Sequence, residues 1–391
     1  MKTALVYFTE ISKTVGHIGG SEMLLFLIIQ ELQRRGYYVT VALQSGGDVV
    51  AGSKDYGVTI DLAALKVIHL SEGGRFLRLV DRHLKYLWQW RLRRLGQKYD
   101  ICISCANPVD FGRPGIHFVY MLTLDEKFKE YYWGTCENWW KLFRNRLVFL
   151  RDSVVAFLLG VRMPAEIVRN SKEIVLANSN YVKKCIESYY KCNIHDAFYP
   201  PTVFEPIDRQ LPTLENYDIA YIGRFQHEKR VVSIIDIVKQ ARDKSGINFR
   251  LRLAGHCPKV NEGAEIRELA EKYPWIILEG TVVGESKACF LSECRFAIHG
   301  CKVEAFGISI TEYLKAGLVP IVPFEGGSSE VVGLDDLVYN NDDAAVDILI
   351  RLATDKAFYK ECLILCIKRG KEFTADAYIN RQNRLLNEFE I

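Results

Sequence analysis

The chain of 391 residues lacks the features of a protein that crosses a membrane or follows a secretory route. The apolar stretch at residues 147–160 is interrupted by Arg151 and Asp152. It is also shorter than the roughly 20 residues that a spanning helix needs. Met1 and Lys2 lead straight into an expected strand, without the apolar region of a signal peptide. We therefore expect neither a transmembrane span nor a secretory signal.

Regular cysteine spacing is missing as well. The 11 cysteines are odd in number and scattered, which does not fit a disulfide framework. Cys102 and Cys105 form a C-x-x-C pattern, but they lie in the apolar stretch at residues 99–106. We interpret them as buried strand thiols rather than as a redox pair or a zinc site. Reduced cysteines indicate a cytoplasmic protein.

The chain has no large excess of one charge, since its net charge is +3, but the charges are unevenly distributed. Residues 1–200 hold 27 Lys and Arg against 19 Asp and Glu, whereas the remainder holds 24 against 29. The basic surplus lies beside tryptophans and leucines at residues 75–98 and 139–162. This pattern suits peripheral contact with the cytoplasmic face of an anionic membrane. The alternative is helices packed on a sheet with their cations in water. Without a recognisable nucleic-acid module, we expect no nucleic-acid partner.

Two glutamates in the C-terminal half carry the strongest chemical signal. Glu304 and Glu312 stand eight positions apart, and Phe306-Gly307-Ile308 opens an expected helix between them. A helix N-terminus suits a phosphate, and Gly307 lets the backbone approach a ligand closely. Both carboxylates can accept hydrogen bonds from sugar hydroxyls. The segment predicts a site for a nucleotide that carries a sugar; the alternative is an ordinary amphipathic helix with two solvated glutamates.

A second candidate phosphate site lies at a strand-to-helix turn. The apolar strand at residues 219–222 leads into a G-R-x4-K pattern that contains Arg224 and Lys229. Arg contacts phosphate oxygens in a bidentate manner and Lys acts as a point charge, so the two can converge on one anion. Alone, the pattern could be a solvated basic turn. Beside the glutamates, it predicts diphosphate binding.

The N-terminal region predicts a βαβ unit without a nicotinamide fingerprint. An apolar strand at residues 3–8 precedes a loop with Gly16, Gly19 and Gly20, and a helix follows at residues 21–35. A dinucleotide fingerprint would place G-x-G-x-x-G directly after the strand. Here about ten residues intervene and the pattern is G-x-x-G-G, which argues against a nicotinamide enzyme.

Length and periodicity predict two α/β domains. The chain is longer than a single core usually supports. Apolar strands alternate with helical stretches throughout, which is typical of parallel sheets. We expect one domain at residues 1–199 and a second at residues 200–376, with a hinge near the prolines at positions 200 and 201.

Together these motifs resemble the GT4 family of glycosyltransferases. Glu304 and Glu312 match the E-x7-E signature of that family. The resemblance implies a GT-B fold, in which two Rossmann-like domains face each other across a cleft. It also implies that a final helix at residues 377–391 crosses back to the N-terminal domain. By the same resemblance, Glu304 contacts the transferred sugar and Glu312 the ribose, while Arg224 and Lys229 neutralise the donor diphosphate. The diphosphate is also held by the amides of Phe306, Gly307 and Ile308.

The resemblance implies further roles outside these two motifs. Val282, after a short strand, would contact the base. Gly19 and Gly20 resemble the G-G-x-E loop, which approaches the sugar or phosphate; a plain helix-entry turn is the alternative. The family's histidine near the reacting sugar corresponds to His117 or to Tyr120, and a strand histidine bonded to the backbone is the alternative for His117. Asp110 and Tyr120 are the expected acceptor contacts.

The implied activity is that of a retaining hexosyltransferase that uses a nucleotide diphosphate sugar and a glycan or lipid-linked acceptor. Cations and helix amides would stabilise the leaving diphosphate without a metal or other cofactor, and the chain has no D-x-D signature. A faint resemblance to the mannosyltransferases of lipid-linked oligosaccharide assembly favours GDP-mannose without excluding UDP-sugars. Two alternatives stay open: a GT-B sugar-nucleotide epimerase and a non-catalytic scaffold that binds nucleotide sugars.

Overall fold

The chain forms two compact units in the computed structural model. Unit 1 comprises Met1–Pro200 with Arg381–Ile391, and unit 2 comprises Pro201–Asn380. The expected divisions lay after residues 199 and 376. The structure describes residues 1–11, 20–71, 86–120, 124, 126–133, 139–202, 204–207, 215–258 and 262–389.

Unit 1 is built on a six-stranded parallel sheet. Its strands are β1 (Lys2–Phe8), β2 (Tyr37–Leu43), β3 (Leu65–His69), β4 (Ile101–Ser104), β5 (Ile116–Val119) and β6 (Ile174–Ala177). Its described helices are α1 (Gly20–Arg34), α2 (Val49–Asp55), α3 (Tyr86–Gly96), α4 (Glu126–Trp133), α5 (Trp139–Leu159), α6 (Pro164–Arg169) and α7 (Asn180–Tyr190). The strand order is β3-β2-β1-β4-β5-β6.

Unit 2 repeats this plan. Its strands are β7 (Asp218–Ile222), β8 (Arg250–Ala254), β9 (Ile276–Gly280), β10 (Phe296–Ile298), β11 (Val319–Pro323) and β12 (Val338–Tyr339). Its described helices are α8 (Val231–Ser245), α9 (Glu262–Lys272), α10 (Gly284–Ser292), α11 (Ile308–Lys315), α12 (Ser328–Val332), α13 (Asp342–Thr354), α14 (Lys356–Gly370) and α15 (Ala375–Glu388), the last of which continues into unit 1. The strand order is β12-β11-β10-β7-β8-β9.

Both sheets have the doubly wound order of a Rossmann-like domain. The central strands are buried on both faces, which explains why their sequences are continuous apolar runs; β1 is buried from Ala4 to Phe8, and β11 along its whole length. In each sheet the strand order reverses beside the first strand, between β1 and β4 and between β7 and β10. Ligands of such sheets bind outside the carboxyl ends of the strands at this switch point.

Local sequence signals set several helix ends. Ser179 accepts a hydrogen bond from the Val182 amide and so caps the start of α7, and Asn341 caps α13 through the Ala344 amide. Gly246, with φ of +71°, ends α8 in the left-handed conformation that glycine adopts without strain.

The structure bears on two expectations, one about the Cys102–Cys105 pattern and one about membrane-spanning helices. Cys102 and Cys105 are free, buried thiols at the end of β4, and burial raises the pKa of Cys102 to about 12. This agrees with their interpretation as strand thiols, since a thiolate would be needed for metal binding or redox chemistry. Among the described residues, no helix combines the length and apolar composition needed to cross a bilayer.

Candidate functional site

The two motif-bearing loops of unit 2 leave the sheet at its switch point. β7 ends at Ile222 and leads into the loop that carries Arg224 and Lys229. Its neighbour β10 ends at Ile298 and leads into the loop that carries Glu304. The fold therefore brings together, at the carboxyl edge where ligands bind, two motifs that are far apart in the sequence.

Lys229 and Glu304 form an ion pair, with Nζ 2.6 Å from Oε2. Each side chain is 18% exposed. Burial alone would raise the pKa of Glu304, but His299 and Lys229 hold that pKa well below its ordinary value. Burial alone would lower the pKa of Lys229, yet the Glu304 carboxylate raises it above its ordinary value. The site therefore holds a carboxylate and an ammonium group throughout the neutral pH range.

His299 and Cys301 complete the surroundings of Glu304. His299 Nε2 lies 3.2 Å from Glu304 Oε2, and the ligand atoms of His299, Cys301 and Glu304 lie within 4.8 Å of one another. Such a set has the chemistry of a zinc site. However, Lys229 already places its ammonium against the same Glu304 oxygen, and burial raises the pKa of Cys301 to about 11. The residues as arranged fit a protein ammonium better than a metal ion.

Arg224 offers a second cation next to this pair. Its side chain is exposed, and its positive charge opposes the rise in the pKa of Lys229, so the two cations lie near each other. Within the described part of the chain, its guanidinium forms no ion pair. An exposed guanidinium beside a protein ammonium suits an anion with several oxygens, such as a diphosphate.

The start of α11 requires a glycine. Gly307 precedes α11 with φ of +97°, where other residues are strained. A Cβ at this position would lie 2.6 Å from Ile310 Cδ1. Phe306 is buried and packs its ring edge-on against Phe373, with centroids 5.9 Å apart. The packing of Phe306 therefore fixes the backbone at positions 306–308 on one side. Gly307, at the centre of this segment, has no side chain to block a ligand.

A pair of glycines supports the Glu304 loop from the end of β11. The Gly327 amide donates to the Glu304 carbonyl oxygen over 2.7 Å. A Cβ at Gly326 would lie 2.8 Å from the Lys302 carbonyl oxygen, and one at Gly327 would collide with the Ala305 carbonyl oxygen. Glycines at both positions let the two loops touch through their backbones, which explains the Gly-Gly pair at this point of the sequence.

Glu312, in the middle of α11, is 7% exposed. Its Oε1 lies 2.7 Å from Nζ of Lys287, on α10. The carboxylate predicted to contact a ribose is thus charge-paired within unit 2, and its second oxygen retains acceptor capacity.

A cavity of about 460 Å³ opens at the carboxyl ends of β8 and β9. Its lining includes Phe225 after β7, Gly255 and His256 after β8, and Gly280 and Thr281 after β9. Gly255 is required here because a Cβ would collide with the Gly223 carbonyl oxygen. Val282, the predicted base contact, follows Thr281 and packs against the unit 2 core.

His117 and Asp110, the expected catalytic and acceptor-contact residues, belong to one buried ion-pair network. Both side chains are fully buried in unit 1. His117 Nε2 lies 3.0 Å from Glu173 Oε2, and Asp110 accepts from Arg93 over 2.6 Å. Arg162 joins the two halves, with contacts of 2.8 Å to Asp110 and 2.7 Å to Glu173. The network holds both side chains in the interior of unit 1, and the catalytic role of His117 and the acceptor contact of Asp110 stay predictions.

The remaining expected contacts of unit 1 are less fully described. Tyr120 follows β5, is partly buried, and accepts a hydrogen bond from Asn178 through its carbonyl oxygen. Gly20 is the first residue of α1, whereas Gly19 lies outside the described residues. Phosphate or sugar contact by these residues therefore stays a prediction.

Sequence reasoning missed His299 and Lys287, which the fold places against Glu304 and Glu312. His299 directly follows the buried strand β10, so its position at the switch point was a usable signal. Lys287 lies on α10, 25 positions before its partner, and no local pattern distinguishes it from a solvated lysine.

Comparisons with known proteins match unit 2 to a sequence family and the whole chain to solved structures. Residues 204–368 match the family described as glycosyl transferases group 1. A stretch of 186 residues, 43% of this chain, is 26% identical to the GDP-Man:Man(3)GlcNAc(2)-PP-Dol alpha-1,2-mannosyltransferase of Candida albicans. The match spans 29% of that protein.

Solved structures resemble the chain over its full length. Sucrose-phosphate synthase from Thermosynechococcus elongatus has a TM-score of 0.69 at 16% identity, covering 100% of this chain and 99% of that chain. Anabaena HepE in complex with UDP and glucose has a TM-score of 0.67 at 14% identity, covering 99% and 100%. WaaG, described as a glycosyltransferase involved in lipopolysaccharide biosynthesis, has a TM-score of 0.63 at 14% identity, covering 96% and 98%. At these identities the likeness establishes the fold, and the expected GT-B class is confirmed.

Proposed function

Because residues 204–368 form a glycosyl transferases group 1 domain within a GT-B chain, we propose that this protein is a retaining glycosyltransferase. It moves a hexose from a nucleotide diphosphate sugar to a glycan or lipid-linked acceptor. The observation that carries this proposal is the contact between Lys229 and Glu304 at the switch point of unit 2. A cation for phosphate and a carboxylate for sugar hydroxyls stand side by side there, as a nucleotide sugar requires.

In the proposed complex, the donor diphosphate lies against Arg224 and Lys229 and the backbone at positions 306–308. Negative charge develops on the diphosphate as the sugar leaves. Two cations and a helix N-terminus that are already in place stabilise this charge without reorganisation. Glu304 holds the hydroxyls of the transferred sugar, and Glu312 holds the ribose.

We assign the base to the 460 Å³ cavity beside β8 and β9. Gly280 and Thr281 line this cavity next to Val282, and Phe225 provides an apolar wall. The cavity belongs to the same carboxyl edge as Arg224, which allows one ligand to reach both.

We propose that the reaction needs no metal ion. Supporting this, Lys229 Nζ occupies the position beside Glu304 that a cation would otherwise take. A protein ammonium can neutralise the leaving group in place of a divalent cation.

The choice of donor rests on similarity alone. The Candida relative is named for GDP-mannose and a dolichol-linked acceptor, which favours GDP-mannose and a lipid-linked acceptor for this chain. Anabaena HepE was also determined with UDP-glucose, so UDP-sugars stay in the proposal.

The direct test is to follow the reaction of the wild-type protein by nuclear magnetic resonance. The donor is GDP-mannose or UDP-glucose, the acceptor is a polyprenyl-diphosphate oligosaccharide, and EDTA is present. We expect nucleoside diphosphate release from one donor, a product with the donor's anomeric configuration, and transfer at least about 100-fold slower with Glu304→Gln. Inverted product, or no turnover of either donor, would overturn the proposal. Release of an epimerised free sugar without acceptor would indicate an epimerase.

A further inference from the structure

Helix α5 is anchored to unit 1 along one face. Ala156 is buried with Tyr86 and Val161, and Val155 and Leu159 pack against the same cluster. Asp152, on the same side of the helix, is 2% exposed. These contacts fix which side of α5 faces the domain.

The opposite face of α5 is apolar and exposed. Six apolar side chains make up this face. The first five are spaced alternately four and three positions apart, and the sixth directly follows the fifth, so all six lie along one side of a helix of 3.6 residues per turn. Their exposed fractions are 52% for Phe143, 51% for Leu147, 61% for Leu150, 49% for Val154, 85% for Phe157 and 75% for Leu158. The row extends for about 22 Å at 1.5 Å per residue. Single exposed apolar residues are ordinary, but a continuous row indicates a contact surface.

Basic residues border this row on both sides. At about 100° per residue, Arg144 and Arg151 lie along one edge and Arg146 along the other. All three are exposed, although Arg151 also contacts Asp152 over 2.7 Å. Asp152 is the one acidic residue in the α5 sequence, and it is buried on the inner face.

We propose that the outer face of α5 binds an anionic phospholipid surface, with its apolar row in the acyl-headgroup boundary and its arginines on the lipid phosphates. An apolar face bordered by cations is the composition of a helix that lies in a membrane interface. The helix lies on the membrane and does not span it.

The charge pattern favours lipid over a second copy of the chain. Paired helices that bury such a row use oppositely charged residues at its borders. Here both borders carry arginine, so two copies of α5 would bring like charges together. Anionic headgroups neutralise these arginines instead.

The inference goes beyond the proposed activity, since lipid binding by α5 does not require a functioning donor site. The test is co-sedimentation of the full chain with phosphatidylcholine vesicles, with and without phosphatidylglycerol. We expect binding to the anionic vesicles only, weakening as salt rises, and at least about tenfold weaker binding for Leu150→Glu/Phe157→Glu.

Two controls make the outcome decisive. Ile364→Glu replaces an equally exposed apolar residue on α14 of unit 2 and leaves vesicle binding unchanged. Arg144→Gln/Arg146→Gln keeps the apolar row and reduces the preference for anionic vesicles. Wild-type protein that stays in the supernatant would overturn the proposal. So would equal binding by Leu150→Glu/Phe157→Glu, or a wild-type dimer that these substitutions dissociate without vesicles.

Discussion

Lys229 and Glu304 are 75 positions apart in the chain, yet Lys229 Nζ lies 2.6 Å from Glu304 Oε2. The contact joins the connection after β7 to the connection after β10, so it depends on the strand order of unit 2. In the proposed function the pair keeps both groups charged until a donor arrives. When the donor binds, the diphosphate contacts Lys229 in place of Glu304, and the sugar hydroxyls contact Glu304 in place of Lys229.

Glu304→Gln tests the sugar contact. The amide keeps one acceptor oxygen but loses the charge that orients the sugar and Lys229 as the bond breaks. We expect the kcat for transfer to fall by at least about 100-fold, the scale for loss of one group that stabilises a transition state. The Kd of the free nucleoside diphosphate, measured by calorimetry, should change by less than about tenfold because that ligand has no hexose.

Glu325→Gln is the matched control, since Glu325 is a half-exposed carboxylate paired with Lys302 at 3.5 Å. It should leave kcat unchanged. A kcat for Glu304→Gln within a few-fold of the wild-type value would remove Glu304 from the reaction.

The lowered pKa of Glu304 predicts a pH-dependent contribution to stability. A carboxyl whose folded pKa lies below its unfolded value of 4.5 stabilises the fold above that value. The contribution is lost as pH falls from 4.5 towards the folded pKa. Urea unfolding at several pH values should therefore show a wild-type advantage over Glu304→Gln that is constant near neutral pH and shrinks below about pH 4.5. An advantage that grew on acidification would contradict the ion pair.

Gly307→Ala tests the backbone at the start of α11. Alanine at φ of +97° costs about 1–2 kcal/mol of strain, and its Cβ would also press on Ile310. Gly246→Ala is the control, because Gly246 has φ of +71° and open space around its Cα. We expect Gly307→Ala to lower the free energy of unfolding by at least about 1 kcal/mol more than Gly246→Ala, and to weaken nucleotide binding. Equal losses would mean that Ile310 moves aside without cost.

Glu173→Ala separates the structural network of unit 1 from catalysis. It leaves His117 without its buried partner and removes one of the two buried carboxylates that pair with Arg162, and loss of one member of a buried ion pair costs about 3–5 kcal/mol. Thermal unfolding should show a large fall in Tm, whereas Glu166→Ala, which removes an exposed cap of α6, costs about 1 kcal/mol. The kcat of the folded Glu173→Ala fraction should stay near the wild-type value. A stable variant without activity would support a catalytic role for His117.

The fold was predictable because its signals are local. Continuous apolar runs predicted buried parallel strands, and the strand expected at residues 219–222 is β7, Asp218–Ile222. The helix expected after Gly307 is α11, which begins at Ile308. Each of these depends on a few neighbouring residues, whose periodicity and glycine positions are visible in the sequence.

The charge partners were not predictable, because they depend on long-range packing. Asp110 and Arg162 are 52 positions apart, and their contact arises only once the unit 1 sheet has formed. In sequence, Asp110 followed a strand in a loop and therefore resembled an exposed acceptor contact. Arg162 contacts both Asp110 and Glu173, and the two carboxylates are buried. No pattern of neighbouring residues in the sequence indicates these contacts.

The most direct test of the account is calorimetric titration with GDP and UDP in EDTA, for wild type, Lys229→Ala and Lys239→Ala. Lys239 is a partly exposed lysine on α8 whose removal controls for net charge. We predict metal-independent binding of one nucleotide, unchanged in Lys239→Ala and at least about tenfold weaker in Lys229→Ala, the scale of a lost charged hydrogen bond. Equal binding by Lys229→Ala, or binding that appears only when magnesium is added, would contradict the assignment of this site.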